Sequence, residues 1–275
     1  MKISILGFGT FGGALAHILE KNNCEVIKEE IGDSEIIFIS VPSFAIEEVL
    51  LRYKDELLNK KIVICSKGFN KNGELLSSFL EKEFSGNRFY FLYGPTLADG
   101  LIKDEYSGFV LAGDDKKEEI KKIIESENVY VELSDDIVGI QVGSTLKNAV
   151  TIFVGLVKGA DLGENTEAFV YAKGLESIKN VGISLGAKPE TFLGLVCAGD
   201  LYLTSRSREL GIELGKGKKF EVIDKELIYP KEGIYTLKNL EKIEKFSKAD
   251  LSYFKLIYDV IFENLSIKDA VKMIK

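Results

Sequence analysis

KISILGFGTFGGALAHILE, residues 2–20, decides how the rest of the chain is read. Residues 2–6 form a short apolar strand, Gly7-Phe8-Gly9-Thr10-Phe11-Gly12 a GxGxxG turn, and residues 14–20 the start of an amphipathic helix. In that context each glycine has a physical task. Gly7 permits the tight turn, Gly9 lets the backbone approach a pyrophosphate, and Gly12 lets helix and strand pack closely. The helix N-terminus then points its amides at the phosphates. A GxGxxG string alone is a weak signal; the strand before it and the helix after it supply the specificity. The usual fingerprint places an acid about 20 residues further on, against the adenosine ribose. Glu29 and Glu30 fit that spacing, while Lys28 beside them suits a 2′-phosphate instead. The expected cofactor is therefore NADH or NADPH, with the choice open.

Beyond the turn, EIIFISV, KIVIC, RFYFL, GFVLA and VYVEL are near-continuous apolar runs, as expected for strands buried on both faces of a mainly parallel sheet. Charged amphipathic stretches at residues 44–58, 72–83 and 115–126 separate several of them. After residue 136 the pattern turns helical. Val142, Leu146, Ala149, Val150, Phe153, Val154 and Val157 share one helical face; a second helix opens at Asn165-Thr166 and stops at Gly186; Pro189-Glu190 reads as the first turn of another. The fold class is α/β, a Rossmann-like sheet domain over residues 1–134 followed by an all-helical domain over 135–275. Ser134-Asp135-Asp136 forms the break and a helix cap. One connection is anomalous: six residues separate a strand at 24–28 from the next at 35–41, where a parallel crossover normally takes a dozen or more. Either a helix and a strand of the usual domain are missing, or the two runs form an antiparallel hairpin around Gly32-Asp33.

Composition narrows the function classes. The chain has 275 residues, 45% hydrophobic and 29% charged, with a formal net charge of −7. That balance argues against a nucleic-acid surface. No run approaches the eighteen or so apolar residues of a membrane span, so no membrane insertion is expected. Cys24, Cys65 and Cys197 lack CxxC spacing and read as free buried thiols of a reducing cytoplasm. With His17 as the single histidine, a surface or packing residue on the first helix, no metal site is expected.

Further blocks follow in order: ISVPS (39–43), CSKGF (65–69), YGPTLA (93–98), GSTLKNAVTIFVGLVKG (143–159), then GENTEAFVYAKGLES, GAKPETFLGLVCAGDLYLT and an Arg/Ser cluster before GIELGKG. Together they resemble the NAD(P)-dependent glycerol-3-phosphate dehydrogenases of bacterial type, over nearly the whole chain, in a compact form with a shortened dinucleotide-binding domain. The resemblance implies reduction of dihydroxyacetone phosphate to sn-glycerol 3-phosphate for glycerophospholipid synthesis, in a cytoplasmic homodimer.

The same resemblance implies roles for individual residues. Lys147 corresponds to the proton donor, and Lys67 to a lysine touching both cofactor and substrate. Gly94, Thr96 and Ala98 lie in the loop around substrate and nicotinamide, and Asp200 contacts substrate. Thr10 and Phe11 join Gly7, Gly9 and Gly12 at the cofactor, as do Glu232, Pro230 and Arg206. Ser205, Arg206 and Ser207 take the phosphate. The chain departs from the family at Ser207, where an Asn is expected, and in a shorter preceding loop.

Read from the residues alone, Lys147 is a solvated helix lysine or a buried acid at the edge of the apolar stripe, Lys67 a turn lysine or a ligand, and Asp200 a helix-end cap or a substrate contact. The chemistry is consistent with the family roles. As an acid for ketone reduction an ordinary lysine with a pKa near 10.4 suffices; for the reverse oxidation that pKa must fall, and burial or a nearby Lys67 charge acts in that direction. Arg206 at a helix start suits a phosphate dianion. Two other readings remain: a β-hydroxyacid or ketopantoate-type reductase, disfavoured by the GENT, GDL and KEGI blocks, and a non-catalytic nucleotide-sensing homologue.

Overall fold

The computed structural model describes residues 1–226 and 232–274. A seven-stranded sheet comprises β1 (Lys2–Leu6), β2 (Glu25–Lys28), β3 (Ile36–Ile39), β4 (Lys61–Ile64), β5 (Arg88–Tyr93), β6 (Ser107–Gly113) and β7 (Val129–Ser134), in the spatial order 2-1-3-4-5-6-7. Every neighbouring pair is parallel except β5 with β6. The helices α1 (Thr10–Lys21), α2 (Ile46–Arg52), α3 (Leu76–Glu83), α4 (Ala98–Ile102) and α5 (Lys117–Ile124) connect the strands. Alternation of side chains along each strand sorts the core onto two faces. Ile3, Ile5, Phe38, Val63 and Leu92 pack with α1, α4 and α5. Leu6, Ile37, Ile39, Ile62 and Phe91 face the other way, towards α2, α3 and the helical part of the chain, within one continuous core.

The short connection after β2 is a crossover, and the hairpin alternative is wrong. Both β2 and β3 run parallel to β1, on opposite sides of it. Lys28 pairs with Ile5 and Ile36 with Ile3, so the chain has to drop only two residues along the sheet while crossing two strand spacings. That is a span of about 12 Å, within easy reach of the intervening residues at roughly 3.3 Å each. No helix is needed because Ile31, 1% exposed, covers the sheet face itself. Ser4 stands where a strand facing a helix would carry an apolar side chain, and its hydroxyl donates to the Glu30 carbonyl as the segment passes over.

Beyond Ser134 the chain is helical: α6 (Ile137–Gly159), α7 (Glu164–Ser184), α8 (Asp200–Leu203), α9 (Ser205–Gly215), α10 (Phe220–Ile223), α11 (Glu232–Lys238), α12 (Leu240–Ser247), α13 (Ser252–Phe262) and α14 (Ile267–Met273). Asp136 caps α6 by accepting from the Gly139 amide at 2.8 Å, as its position in the sequence suggests, and it also accepts from Lys188 N and Thr191 Oγ1. The segment opened by Pro189 differs from expectation: it makes a single 3₁₀ turn, Pro189–Leu193, then extended Gly194 and a π turn, Leu195–Gly199. By length and mean hydropathy (1.4) α6 is apolar enough to cross a membrane, contrary to the reading of the sequence; 83% of that window is buried inside the fold, where it serves as the core helix.

Candidate active site

The first three strands create a crevice. β1 is flanked by β2, which follows it, and by β3, which the chain reaches by crossing back, and at such a switch point the loops at the carboxyl ends diverge. The glycine turn emerges there. Gly7 has φ +93°, and a Cβ on it would lie 2.6 Å from the Ser40 carbonyl group of the neighbouring strand end. A Cβ on Gly12 would lie 2.3 Å from the Gly7 carbonyl oxygen, so only glycine lets α1 start this close to β1. Gly9 faces open space, with no heavy atom within 4 Å of a Cβ built on it. The first turn of α1 has no side-chain cap and no acidic residue, leaving its amides for an anion. Open space against the backbone and uncapped amides are what a pyrophosphate requires, so the turn fits a dinucleotide.

Along the same edge, β4 leads into Ser66-Lys67-Gly68 and β5 into Gly94-Pro95-Thr96. Ser66 Oγ donates to the Val41 carbonyl at 2.5 Å, and the buried Tyr93 hydroxyl to the Ser66 carbonyl at 2.9 Å, fixing three strand ends side by side. Lys67 Nζ donates to the Gly94 carbonyl at 3.2 Å and to Asp200 Oδ2 at 2.7 Å. The other carboxylate oxygen of Asp200 lies 2.8 Å from Lys147 Nζ, which also donates to Thr204 Oγ1 at 2.6 Å. The structure thus brings Lys67, Lys147, Asp200 and Gly94 together from four segments far apart in sequence.

Lys147 is 4% exposed, and burial pulls its pKa down to about 8. The Asp200 carboxylate opposes that fall and the Lys67 ammonium adds to it. Burial is the largest of these effects, and the net shift is downward. Thr204 was not apparent as a site residue from the sequence, although it stands one helical turn after Asp200 and its hydroxyl donates to the Asp200 carbonyl at 2.6 Å.

The position of Lys147 is set by packing between α6 and α9. A Cβ on Gly155 would meet Arg208 O at 2.2 Å, one on Gly211 would meet Ile152 O at 2.1 Å, and one on Gly215 would meet Leu156 O at 2.3 Å. The helices therefore run parallel, nearly backbone on backbone, and this register sets Ser207 opposite Asn148 and Thr204 beside Lys147. A Gly211→Ala change is expected to force the helices apart, costing about 1–3 kcal/mol. Thermal denaturation would show the loss of stability, and the substrate KM would rise because the start of α9 moves.

That start is the candidate phosphate site. α9 has no side-chain cap, the Thr204 hydroxyl donating to the Asp200 carbonyl and accepting from Lys147 Nζ, and it has no acid in its first turn. Ser205 and Arg206 are exposed there, and Arg206 makes no ion pair or hydrogen bond among the described residues. Ser207, next in the helix, is 1% exposed and its hydroxyl points to Asn148 Oδ1 at 3.4 Å, so its side chain faces α6.

Of the remaining expected residues, Thr96 is half-buried beyond Gly94 and Ala98 opens α4 against the Phe8–Phe11 side of the core. Glu232 reaches the sheet edge: its carboxylate accepts from the Ser43 hydroxyl and from Ser43 N at 3.4 Å, and burial raises its pKa. Ser43 in turn touches Gly68, where a Cβ would collide with its side chain at 2.4 Å. Pro230 lies outside the described residues. Cys24, Cys65 and Cys197 are buried and free, and no cluster of metal-ligating side chains occurs among the described residues.

A dinucleotide turn at a switch point, with Lys67 at a neighbouring strand end tied through Asp200 to a buried lysine of lowered pKa, defines an NAD(P)-dependent oxidoreductase. Residues 26–119 match the N-terminal part, and residues 136–272 the C-terminal part, of the NAD-dependent glycerol-3-phosphate dehydrogenase family. The chain is 31% identical to a glycerol-3-phosphate dehydrogenase [NAD(P)+] of Thermoanaerobacter sp., covering 98% of this chain and 96% of that one. That alignment runs over 316 positions, so the relative carries residues that this chain of 275 lacks. Among solved structures, glycerol-3-phosphate dehydrogenases of Coxiella burnetii (23% identity, TM-score 0.92, 98% and 97% of the two chains) and Saccharomyces cerevisiae (19%, 0.86, 100% and 99%) share the fold. The chain belongs to the NAD-dependent glycerol-3-phosphate dehydrogenase family.

Proposed function

We propose that the chain reduces dihydroxyacetone phosphate to sn-glycerol 3-phosphate with NADH or NADPH, residues 1–134 holding the dinucleotide and 135–275 the substrate. The observation that carries this reading is the buried Lys147 ammonium, 2.8 Å from Asp200 Oδ1 and beside the uncapped start of α9. When bound, the reduced nicotinamide supplies the hydride. Lys147 donates its proton to the carbonyl oxygen as that oxygen gains negative charge, and in the reverse direction neutral Lys147 takes the proton back. Asp200 holds both ammonium groups in place, and Lys67 polarises the same oxygen or an adjacent hydroxyl. Arg206 and the first amides of α9 hold the phosphate dianion, the guanidinium by paired hydrogen bonds and the amides through the helix dipole.

Glu232, by fixing Ser43 against Gly68, shapes the nicotinamide side of the crevice. Membership of the family supports this reading over another reductase. It also supports a role in supplying glycerol 3-phosphate to glycerophospholipid synthesis. The free buried thiols accord with a cytoplasmic location. A homodimer accords with Leu193 and Tyr202, apolar side chains 75% and 78% exposed.

The test compares dihydroxyacetone phosphate, unphosphorylated dihydroxyacetone and ketopantoate as oxidants of NADH and NADPH, read from the loss of reduced-nicotinamide absorbance. The phosphorylated ketone is expected to have the highest kcat/KM, by about 100-fold or more over dihydroxyacetone. Preference for ketopantoate would favour the other reductase, and binding of cofactor without turnover of any ketone would favour a sensor.

A further inference from the structure

The end of β2 carries a contact that bears on cofactor choice. Glu29 has left-handed backbone geometry (φ +60°), held by its amide donating to the Ile5 carbonyl at 2.9 Å. That geometry turns the side chain back over the glycine turn, where its two carboxylate oxygens accept from Phe8 N at 2.6 Å and Gly7 N at 3.2 Å. Lys28, the cation that the sequence offers for a 2′-phosphate, lies over the same turn, with its Nζ 4.5 Å from the centre of the Phe8 ring. Of the two arginines in the sheet part of the chain, Arg52 is paired with Glu48 at 2.7 Å and Arg88 lies at the opposite end of the sheet, at the start of β5 near Asp114.

We infer that Glu29 makes this chain selective for NADH over NADPH by fixing a carboxylate on the glycine turn where the adenosine ribose binds. The inference rests on the reading of Gly7–Gly12 as the dinucleotide turn. Each carboxylate oxygen of Glu29 takes one amide bond and keeps a lone pair for the hydroxyls of a ribose diol, which are donors. A 2′-phosphate has little proton to donate and brings a charge of about −1.5 to −2 against a carboxylate that two backbone amides hold in place. Glu30, next in the chain, adds a second negative charge, so Lys28 does not make the neighbourhood cationic. The short crossover contributes to this arrangement: residues 29–35 turn down over β1 immediately after Lys28, and Glu29 is the residue at the bend.

The experiment is a titration of the purified protein with NADH and with NADPH, following reduced-nicotinamide fluorescence, for the wild type and Glu29→Gln. The wild type is expected to bind NADH about tenfold or more tightly than NADPH, and Glu29→Gln to weaken NADH while narrowing the ratio to within about threefold. Equal or tighter binding of NADPH by the wild type, or an unchanged ratio in the variant, would overturn the selectivity while leaving the dinucleotide turn standing. Binding of neither cofactor would overturn both.

Discussion

Lys147→Met is expected to lower kcat for ketone reduction by about 10²–10⁴-fold, the usual contribution of a positioned general acid, while cofactor affinity stays within about threefold of wild type. Methionine nearly matches the lysine stem in volume and removes a charge that is 4% exposed, so the variant should fold. Asp200 retains Lys67 at 2.7 Å as a counterion, so the change leaves no carboxylate alone in the interior. Stopped-flow measurement of reduced-nicotinamide absorbance, with cofactor titrated separately, separates the chemical step from binding. Turnover at the wild-type rate would remove Lys147 from the mechanism.

The second large effect falls on stability. Asp200→Ala leaves the Lys147 ammonium, with a side chain 5% exposed, and Lys67, 23% exposed, facing each other without their common counterion. Removing one partner of a buried ion pair costs about 3–5 kcal/mol, which for a chain of this size corresponds to a fall in Tm of roughly 10 °C. Asp200→Asn keeps the shape and separates the two roles of the residue. Because the Asp200 carboxylate opposes the burial-driven fall in the Lys147 pKa, its loss should push that pKa further below about 8. Less of the acid form is then present at neutral pH. Calorimetry of the alanine variant and the pH dependence of the asparagine variant test the two effects independently.

The glycine turn, the strand runs and the long apolar helix were legible in the sequence because each rests on local periodicity or on glycine placement. The helical reading of residues 142–157 holds over the whole of α6, and Gly186, with φ +91°, ends the turn after α7 as a stop signal should. The crossover after β2 was not legible, because its resolution depends on register: a span that looks too short in residue count suffices once Lys28 is paired with Ile5 and Ile36 with Ile3. Pro189 announced a helical start, but extended Gly194 breaks the segment into a 3₁₀ turn and a π turn that ends at Gly199, both packed on α6.

At the site, hydrogen bonds and ion pairs link Lys67, Gly94, Lys147 and Asp200, relations that belong to the tertiary structure. Asp200 divides its carboxylate between two lysines, and Thr204 completes the Lys147 shell because Gly155 and Gly211 let two helix backbones meet. The same register that brings Thr204 to Lys147 turns the Ser207 side chain inward onto Asn148. The sequence neighbours of a helix start do not show which of them face outwards until the partner helix is fixed.

The role proposed for Lys147 as the acid rests on a pKa that burial lowers to about 8. The measurement that tests it most directly is kcat/KM against pH in both directions, from about pH 6 to pH 10. Reduction needs the protonated amine, so its rate should be level at low pH and fall as pH rises through about 8, while oxidation of glycerol 3-phosphate, which needs the neutral amine, should rise through the same value. Opposed profiles crossing there, both lost in Lys147→Met, are the predicted result; profiles that stay flat through that range, or that survive the substitution, would contradict it.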